Sequence, residues 1–136
     1  MATLADAREI AMSLPGVEER TGGHTGAPEW RLRSGAIAWV RGPTKSDLRV
    51  LDELDRSWPD GVVLGIRVAD LQEKEALLAA EPDVLFTIAH FDGFPGLLVM
   101  LDVIDRDRLE ELLCDAWLVR APARERKAWL AERGWE

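Results

Sequence analysis

The chain has no tyrosine, a single cysteine and two histidines in 136 residues. The lone Cys114 excludes an internal disulfide framework and any cysteine-rich zinc site. His24 and His90 stand far apart in sequence, so no metal and no cofactor is expected. No run of about 18 apolar residues occurs, which excludes a transmembrane helix. The opening Met1-Ala2-Thr3-Leu4-Ala5-Asp6 meets acid at once and lacks a basic leading region, so it does not read as a secretory signal. The expected address is a reducing cytoplasm. No Cys-His or Ser-His pairing is visible at motif level, so no catalytic residue is named and the chain is not expected to be an enzyme. The segment Thr21-Gly22-Gly23-His24-Thr25-Gly26 lacks the Gly-Lys-Ser/Thr of a phosphate loop and does not link a strand to a helix.

An apolar fraction of 47% and a charged fraction of 31% describe a folded chain, and the length suits one domain over residues 1–136. The net charge is −8, and it is unevenly spread. Residues 29–50 carry five bases (Arg31, Arg33, Arg41, Lys45, Arg49) against two acids, and residues 116–136 carry five against three. Residues 51–115 carry sixteen acids and five bases. An acidic whole repels polyphosphate at long range, so any phosphate binding must rest on a local basic patch.

Thr3 and Asp6 frame an N-cap before a helix over 4–14, which Pro15-Gly16 ends. Trp30-Arg31-Leu32-Arg33 and Ala36-Ile37-Ala38-Trp39-Val40 alternate about Ser34-Gly35 as a β-hairpin. A two-residue loop there sets Arg33 opposite Ala36, Arg31 opposite Ala38 and Trp30 opposite Trp39. Trp30, Leu32, Ile37 and Trp39 then share the inner face, and Arg31, Arg33, Ala36 and Ala38 the outer one. Residues 42–61 are ambiguous, with Leu48, Leu51 and Leu54 fitting a short helix or a strand. Strands are expected over 62–68, 84–89 and 97–102. A helix capped by Asp70 follows the first, with Leu71, Leu77 and Leu78 as its apolar side. Asp105 opens a helix whose Leu109, Leu112, Leu113, Ala116 and Trp117 form one apolar stripe. Pro122 suits the start of a last helix. Hairpin-grouped strands make a mainly antiparallel sheet with helices packed on one side, an α+β fold.

Several segments, taken in order, resemble the MmcQ/YjbR family over nearly the whole chain. They are Leu14-Pro15-Gly16-Val17-Glu18-Glu19, Ala27-Pro28-Glu29-Trp30-Arg31-Leu32, Pro82-Asp83-Val84-Leu85-Phe86-Thr87, His90-Phe91-Asp92-Gly93-Phe94-Pro95 and Asp115-Ala116-Trp117-Leu118-Val119-Arg120-Ala121-Pro122. The resemblance implies a small cytoplasmic bacterial protein with a YjbR-like α-β3-α-β2-α arrangement, here with an extra C-terminal helix. It also implies DNA binding through a double-wing arrangement of hairpins and helices. Ala123 and Met100 stand where that family often carries a basic residue.

Three candidate surfaces follow from the residues. Arg31 and Arg33 over small side chains, joined by Gly65 and Arg67, form a basic platform suited to phosphates or carboxylates. The ordinary alternative is a solvated sheet face. Arg41, just past the hairpin, counts with them. Arg120, Arg124 and Lys127 lie at helical spacing, within a basic run that also holds Arg126 and Arg133, and fit backbone phosphates; the alternative is a plain charged helix. His90, Phe91 and Phe94 sit in a loop that would stack on bases or cover a pocket, or else tuck both phenyl rings into the core. Six tryptophans include Trp58, Trp129 and Trp135 near turns or the tail, where exposure would mark a partner surface. The expected partner is DNA, held weakly and salt-sensitively. The alternative is a protein partner or small ligand at the 90–96 loop and sheet face. The oligomeric expectation is a monomer or weak dimer.

Overall fold

In the computed structural model, which describes residues 1–22 and 26–134, helix α1 (Leu4–Ser13) opens on the expected capping box. The Asp6 N–H donates to Thr3 Oγ1 at 3.1 Å, and the Thr3 N–H donates to the Asp6 carboxylate at 2.9 Å. Strands β1 (Glu18–Gly22), β2 (Ala27–Leu32) and β3 (Gly35–Val40) follow, then α2 (Lys45–Glu53), β4 (Val63–Arg67) and α3 (Leu71–Ala80). The chain closes with β5 (Leu85–Phe86), a 3-10 turn at Ala89–Phe91, β6 (Gly96–Met100), α4 (Arg106–Arg120) and α5 (Ala123–Glu132). The strands form one sheet in the order β1-β2-β3-β4-β6-β5, and every neighbouring pair is antiparallel. The fold is α+β, as the hairpin grouping implies.

Two elements go beyond the sequence reading. Strand β1 is Glu-Glu-Arg-Thr-Gly, with no apolar alternation, because an edge strand with exposed side chains has no core face to mark. Its backbone pairs with β2, Glu18 opposite Arg31. The ambiguous 42–61 segment contains α2, started by a second capping box at Thr44 and Asp47. Conversely, the strand expected over 84–89 is only Leu85–Phe86. Past it the chain turns away so that Ile88 and Phe91 bury against the sheet.

The hairpin register also differs from expectation. The turn is Arg33-Ser34, since Leu32 pairs with Gly35 and Arg31 with Ala36. A bulge then skips Ile37, so that Trp30 faces Ala38 and Glu29 faces Trp39. A bulge adds one residue to one strand and shifts all later side chains by one position. Here it sends both Ile37 and Ala38 into the core and turns Trp39 to the other face. Ala38, expected outside, is fully buried.

The main core lies between one sheet face and α1, α4 and α5. It holds Trp30, Leu64, Ile66, Leu97 and Val99 from the sheet, and the whole expected α4 stripe. Trp117 packs at a tilt of 42° against the buried Trp129, ring centroids 5.3 Å apart, and its indole N–H donates to the Pro15 carbonyl at 2.9 Å. A second, smaller cluster covers part of the opposite face. Leu51 of α2 meets Val63, Leu98, Ile88 and Phe91, with Trp39, Trp58 and Phe86 packed around them. Thus α2 adds a helix on the side expected to be open. Gly65 makes room for this layer: a Cβ there would come within 2.3 Å of the Trp39 indole. Leu71, expected on the apolar side of α3, is half exposed at 50%.

Candidate functional site

The arginines around the β2–β3 hairpin do converge, though not as a flat sheet face. Arg31 leaves β2 half-buried, 3.5 Å from the Glu29 carboxylate. Arg33 stands exposed in the turn itself. With Arg20 and Glu18 of β1, these two line an open cleft of about 370 Å³. Arg20 is tied to Glu18 at 3.1 Å. Arg20 was not a candidate, since its strand carries no sequence signature.

Arg120, the last residue of α4, folds over the hairpin. Its Nε donates to the Ala36 carbonyl and its Nη1 to the Ser34 carbonyl, both at 3.4 Å, while Ser34 Oγ donates to the Arg120 carbonyl at 2.7 Å. Gly35, at φ +152°, takes a backbone conformation that L side chains rarely adopt, and its bare Cα leaves room for the Arg120 guanidinium. Burial, then the nearby charges of Arg67 and Arg31, push the Arg120 guanidinium below its ordinary value. The hydrogen bonds to Ala36 and Ser34 set Arg120 on the hairpin that carries Arg31 and Arg33. Arg67 donates from Nε to its neighbour's carbonyl, Val68 O, at 3.0 Å.

Other candidates go elsewhere. Arg41 is engaged: its Nη2 lies 2.6 Å from the Asp47 carboxylate, and its guanidinium sits 5.7 Å from the Phe91 ring. Gly65 lies under Trp39 and so is not part of an open platform. Arg124 and Lys127 are exposed on α5. They do not form one helical stripe with Arg120, because α4 ends at Arg120 and Ala121 and Pro122 are extended before α5. Their helical spacing counts across a break.

The 90–96 loop is mostly structural. Phe91 is 5% exposed, and Phe94 packs edge-on against it at 5.6 Å. His90 remains exposed, its ring 6.1 Å from Phe91. A residue absent from the sequence reading holds the loop: Lys74 of α3, 7% exposed, donates from Nζ to the Phe91 carbonyl at 2.6 Å and the Phe94 carbonyl at 2.9 Å. A lysine in an acidic helix reads as surface, so no local signal marked it. Burial lowers its ammonium below the ordinary value, against the pull of Asp92. Trp58 packs edge-on against Phe86 at 5.8 Å and Trp129 is buried, so neither is a free aromatic patch. His24 and Trp135 lie outside the described residues. Among the described residues no three His, Cys, Asp or Glu side chains converge as a metal site, and no helix is long and apolar enough to cross a membrane.

The model of the YjbR family matches residues 12–119. The chain belongs to the YjbR family. Uncharacterised proteins of Mycobacterium tuberculosis (Rv2570) and Mycobacterium bovis (Mb2600) are 42% identical to this YjbR chain over 98% of its length and 100% of theirs. The crystal structure of Deinococcus radiodurans protein DR2400, with a domain designated DUF419, superposes with a TM-score of 0.66 at 21% identity. It covers 100% of this chain and 91% of that one. At that identity the likeness concerns the fold alone.

Proposed function

We propose that this YjbR-family chain is a binding protein, not an enzyme, and that it holds the phosphate backbone of DNA weakly through Arg31, Arg33 and Arg120. The observation that carries this reading is that Arg120 lies on the Ala36 and Ser34 carbonyls of the same hairpin whose Arg31 and Arg33 line the cleft, with no carboxylate among its described hydrogen-bond partners. Such a cluster gains by gathering an anion, and a guanidinium grips a phosphate through paired N–H groups. The second reading, recognition at the 90–96 loop, loses support because Lys74 and the inward Phe91 tie that loop to the fold.

The test is fluorescence anisotropy with labelled single- and double-stranded DNA. Each neutralised phosphate contributes a slope of about −0.9 in log affinity against log salt. Three contacts therefore predict affinity roughly 200-fold weaker at about 150 mM salt than at about 20 mM. The Arg31→Glu, Arg33→Glu double variant should lose the signal. Absence of binding by the unaltered protein at the lower salt would overturn the DNA reading.

A further inference from the structure

Strand β1 is one margin of the sheet. It pairs with β2 on one side and, among the described residues, with no strand on the other. An edge strand turns alternate N–H and C=O groups outward, and that row accepts a further strand unless its side chains forbid it. Glu18, Glu19, Arg20 and Thr21 are all exposed. Their charges turn away most incoming strands and admit one pattern.

The register with β2 fixes which charges share a face. Glu18 lies opposite Arg31, and Arg20 lies opposite Glu29. Residues two apart in a strand point to the same side, so Glu18 and Arg20 stand on the face that carries Arg31 and Glu29. Their own side chains meet there at 3.1 Å. Glu19 points the other way, opposite Trp30. Its carboxylate accepts from Trp30 Nε1 at 2.8 Å and from Arg8 Nε at 2.7 Å, so its charge is neutralised within its own chain. The edge therefore offers an acid and a base on one face, separated by one residue.

An antiparallel strand that complements Glu-x-Arg must place Arg opposite the Glu and Glu opposite the Arg. Glu-x-Arg read in the reverse direction does so. We propose that β1 pairs with β1 of a second copy of this chain, antiparallel about a two-fold axis at Glu19. Glu18 then faces Arg20 of the second copy, and Arg20 faces its Glu18. Across the four central strands the charges alternate: Arg31, Glu18, then Arg20 and Glu29 of the second copy, with the reverse order alongside. An axis at Glu18 or at Arg20 would set that residue against itself, and like charges directly opposite destabilise a pair. The charges thus select one register. Pairing joins two six-stranded sheets into one. It also changes the hairpin cleft, which Glu18, Arg20, Arg31 and Arg33 line. Arg20 of the second copy, set opposite Glu18, brings a further guanidinium to its border. The inference does not rest on DNA binding, and its test contains no DNA.

Sedimentation equilibrium tests it. A five-residue edge buries little surface and gives a weak, transient dimer. The weight-average mass should climb toward twice the monomer value between about 10 µM and about 1 mM protein at about 20 mM salt. It should fall back at about 500 mM salt, where exposed charges are screened. Amide exchange at residues 18–21 should slow over the same rise in concentration. Glu18→Arg and Arg20→Glu each make both cross-copy pairs repulsive and should weaken association about tenfold or more. Mixing the two variants in equal amounts sets Arg opposite Glu in both pairs and should restore the dimer. Both side chains are exposed, so the fold should survive either change, which circular dichroism checks. A monomer at about 1 mM protein and the lower salt would overturn the proposal. So would a dimer that neither single variant weakens, which assigns association to another surface, or a mixture that stays monomeric.

Discussion

Lys74 is the residue whose removal should be felt furthest from its own helix. Its ammonium is buried and supplies the donor for two loop carbonyls, those of Phe91 and Phe94. Lys74→Met keeps the apolar stem and deletes the donor. Each carbonyl then keeps only its backbone donor, the Phe94 N–H at 3.0 Å for Phe91 and the Gly96 N–H at 2.8 Å for Phe94, so the cost is that of the lost charge-assisted bonds, about 1–3 kcal/mol. Urea denaturation reads that loss, and faster amide exchange in residues 90–96 would localise it. Unchanged stability would mean that solvent reaches these carbonyls freely. Asp115 predicts the opposite sign. Asp115 is exposed on α4, yet partial desolvation, with Glu73 and Glu111 adding and Arg108 opposing, holds its carboxyl above the ordinary value, so ionisation costs the folded state some stability. That cost is absent below its ordinary value of 3.8 and complete above its folded value. Asp115→Asn should therefore raise the melting temperature at pH 7 and change it little near pH 3. A lower melting temperature at pH 7 would instead show that Asp115 has a favourable partner in solution.

At the scale of elements, α2 depends on one carboxylate with two duties. Asp47, 5% exposed, completes the capping box with Thr44 and neutralises the half-buried Arg41. Arg41 Nε is already buried without a partner. Asp47→Ala should cost about 3 kcal/mol, because it removes a cap and strands a cation. The double variant Arg41→Leu, Asp47→Asn should recover part of the loss, since the stranded charge is gone while a capping side chain remains. Guanidinium-chloride midpoints of the two proteins decide it; equal midpoints would mean that the ion pair contributes nothing to holding α2. This element also shows what the sequence made legible. Helix α4 was readable because all five stripe residues face one core. Trp30, Leu64 and Ile66 were readable by alternation, and the capping box of α1 by the spacing of Thr3 and Asp6. Strand β1 was not, since an edge strand shows no apolar period. The bulge at Ile37 was not either: an inserted residue leaves composition unchanged while reversing which of Ala38 and Trp39 faces inward. That reversal, together with α2, closed half of the expected arginine platform. Arg31 and Arg33 still share a cleft, and Arg120 reaches their hairpin from the end of a helix, a juxtaposition no local pattern encodes.

For the whole molecule, acid stability is governed by two sets of carboxylates with opposite signs. Asp6, Glu19 and Glu81 lie below their ordinary values; for Asp6 the Thr3 backbone hydrogen bond leads, with Arg106 adding, while Arg8 leads for Glu19 and Arg108 for Glu81. A depressed carboxyl stabilises the fold above its ordinary value, 3.8 for Asp6 and 4.5 for the two glutamates, and that contribution is lost as pH falls through the folded value. Asp115 works the other way in part of the same range. Glu81, partly buried and gripped by two guanidinium nitrogens of Arg108, leads the depressed group, so the expected net change is loss of stability on acidification. The −8 charge at neutral pH adds self-repulsion that protonation first relieves. Stability should therefore hold level or rise slightly as pH falls from 7 to about 5, then drop steeply below about 4. The Glu81–Arg108 bridge ties α3 to α4, so its loss should appear in the shape of that curve as well as its height. Arg108→Gln should lower the urea midpoint at pH 7 and leave a smaller drop between pH 5 and 3 than the unaltered protein shows. Equal drops in the two proteins would assign the acid transition to carboxylates other than Glu81.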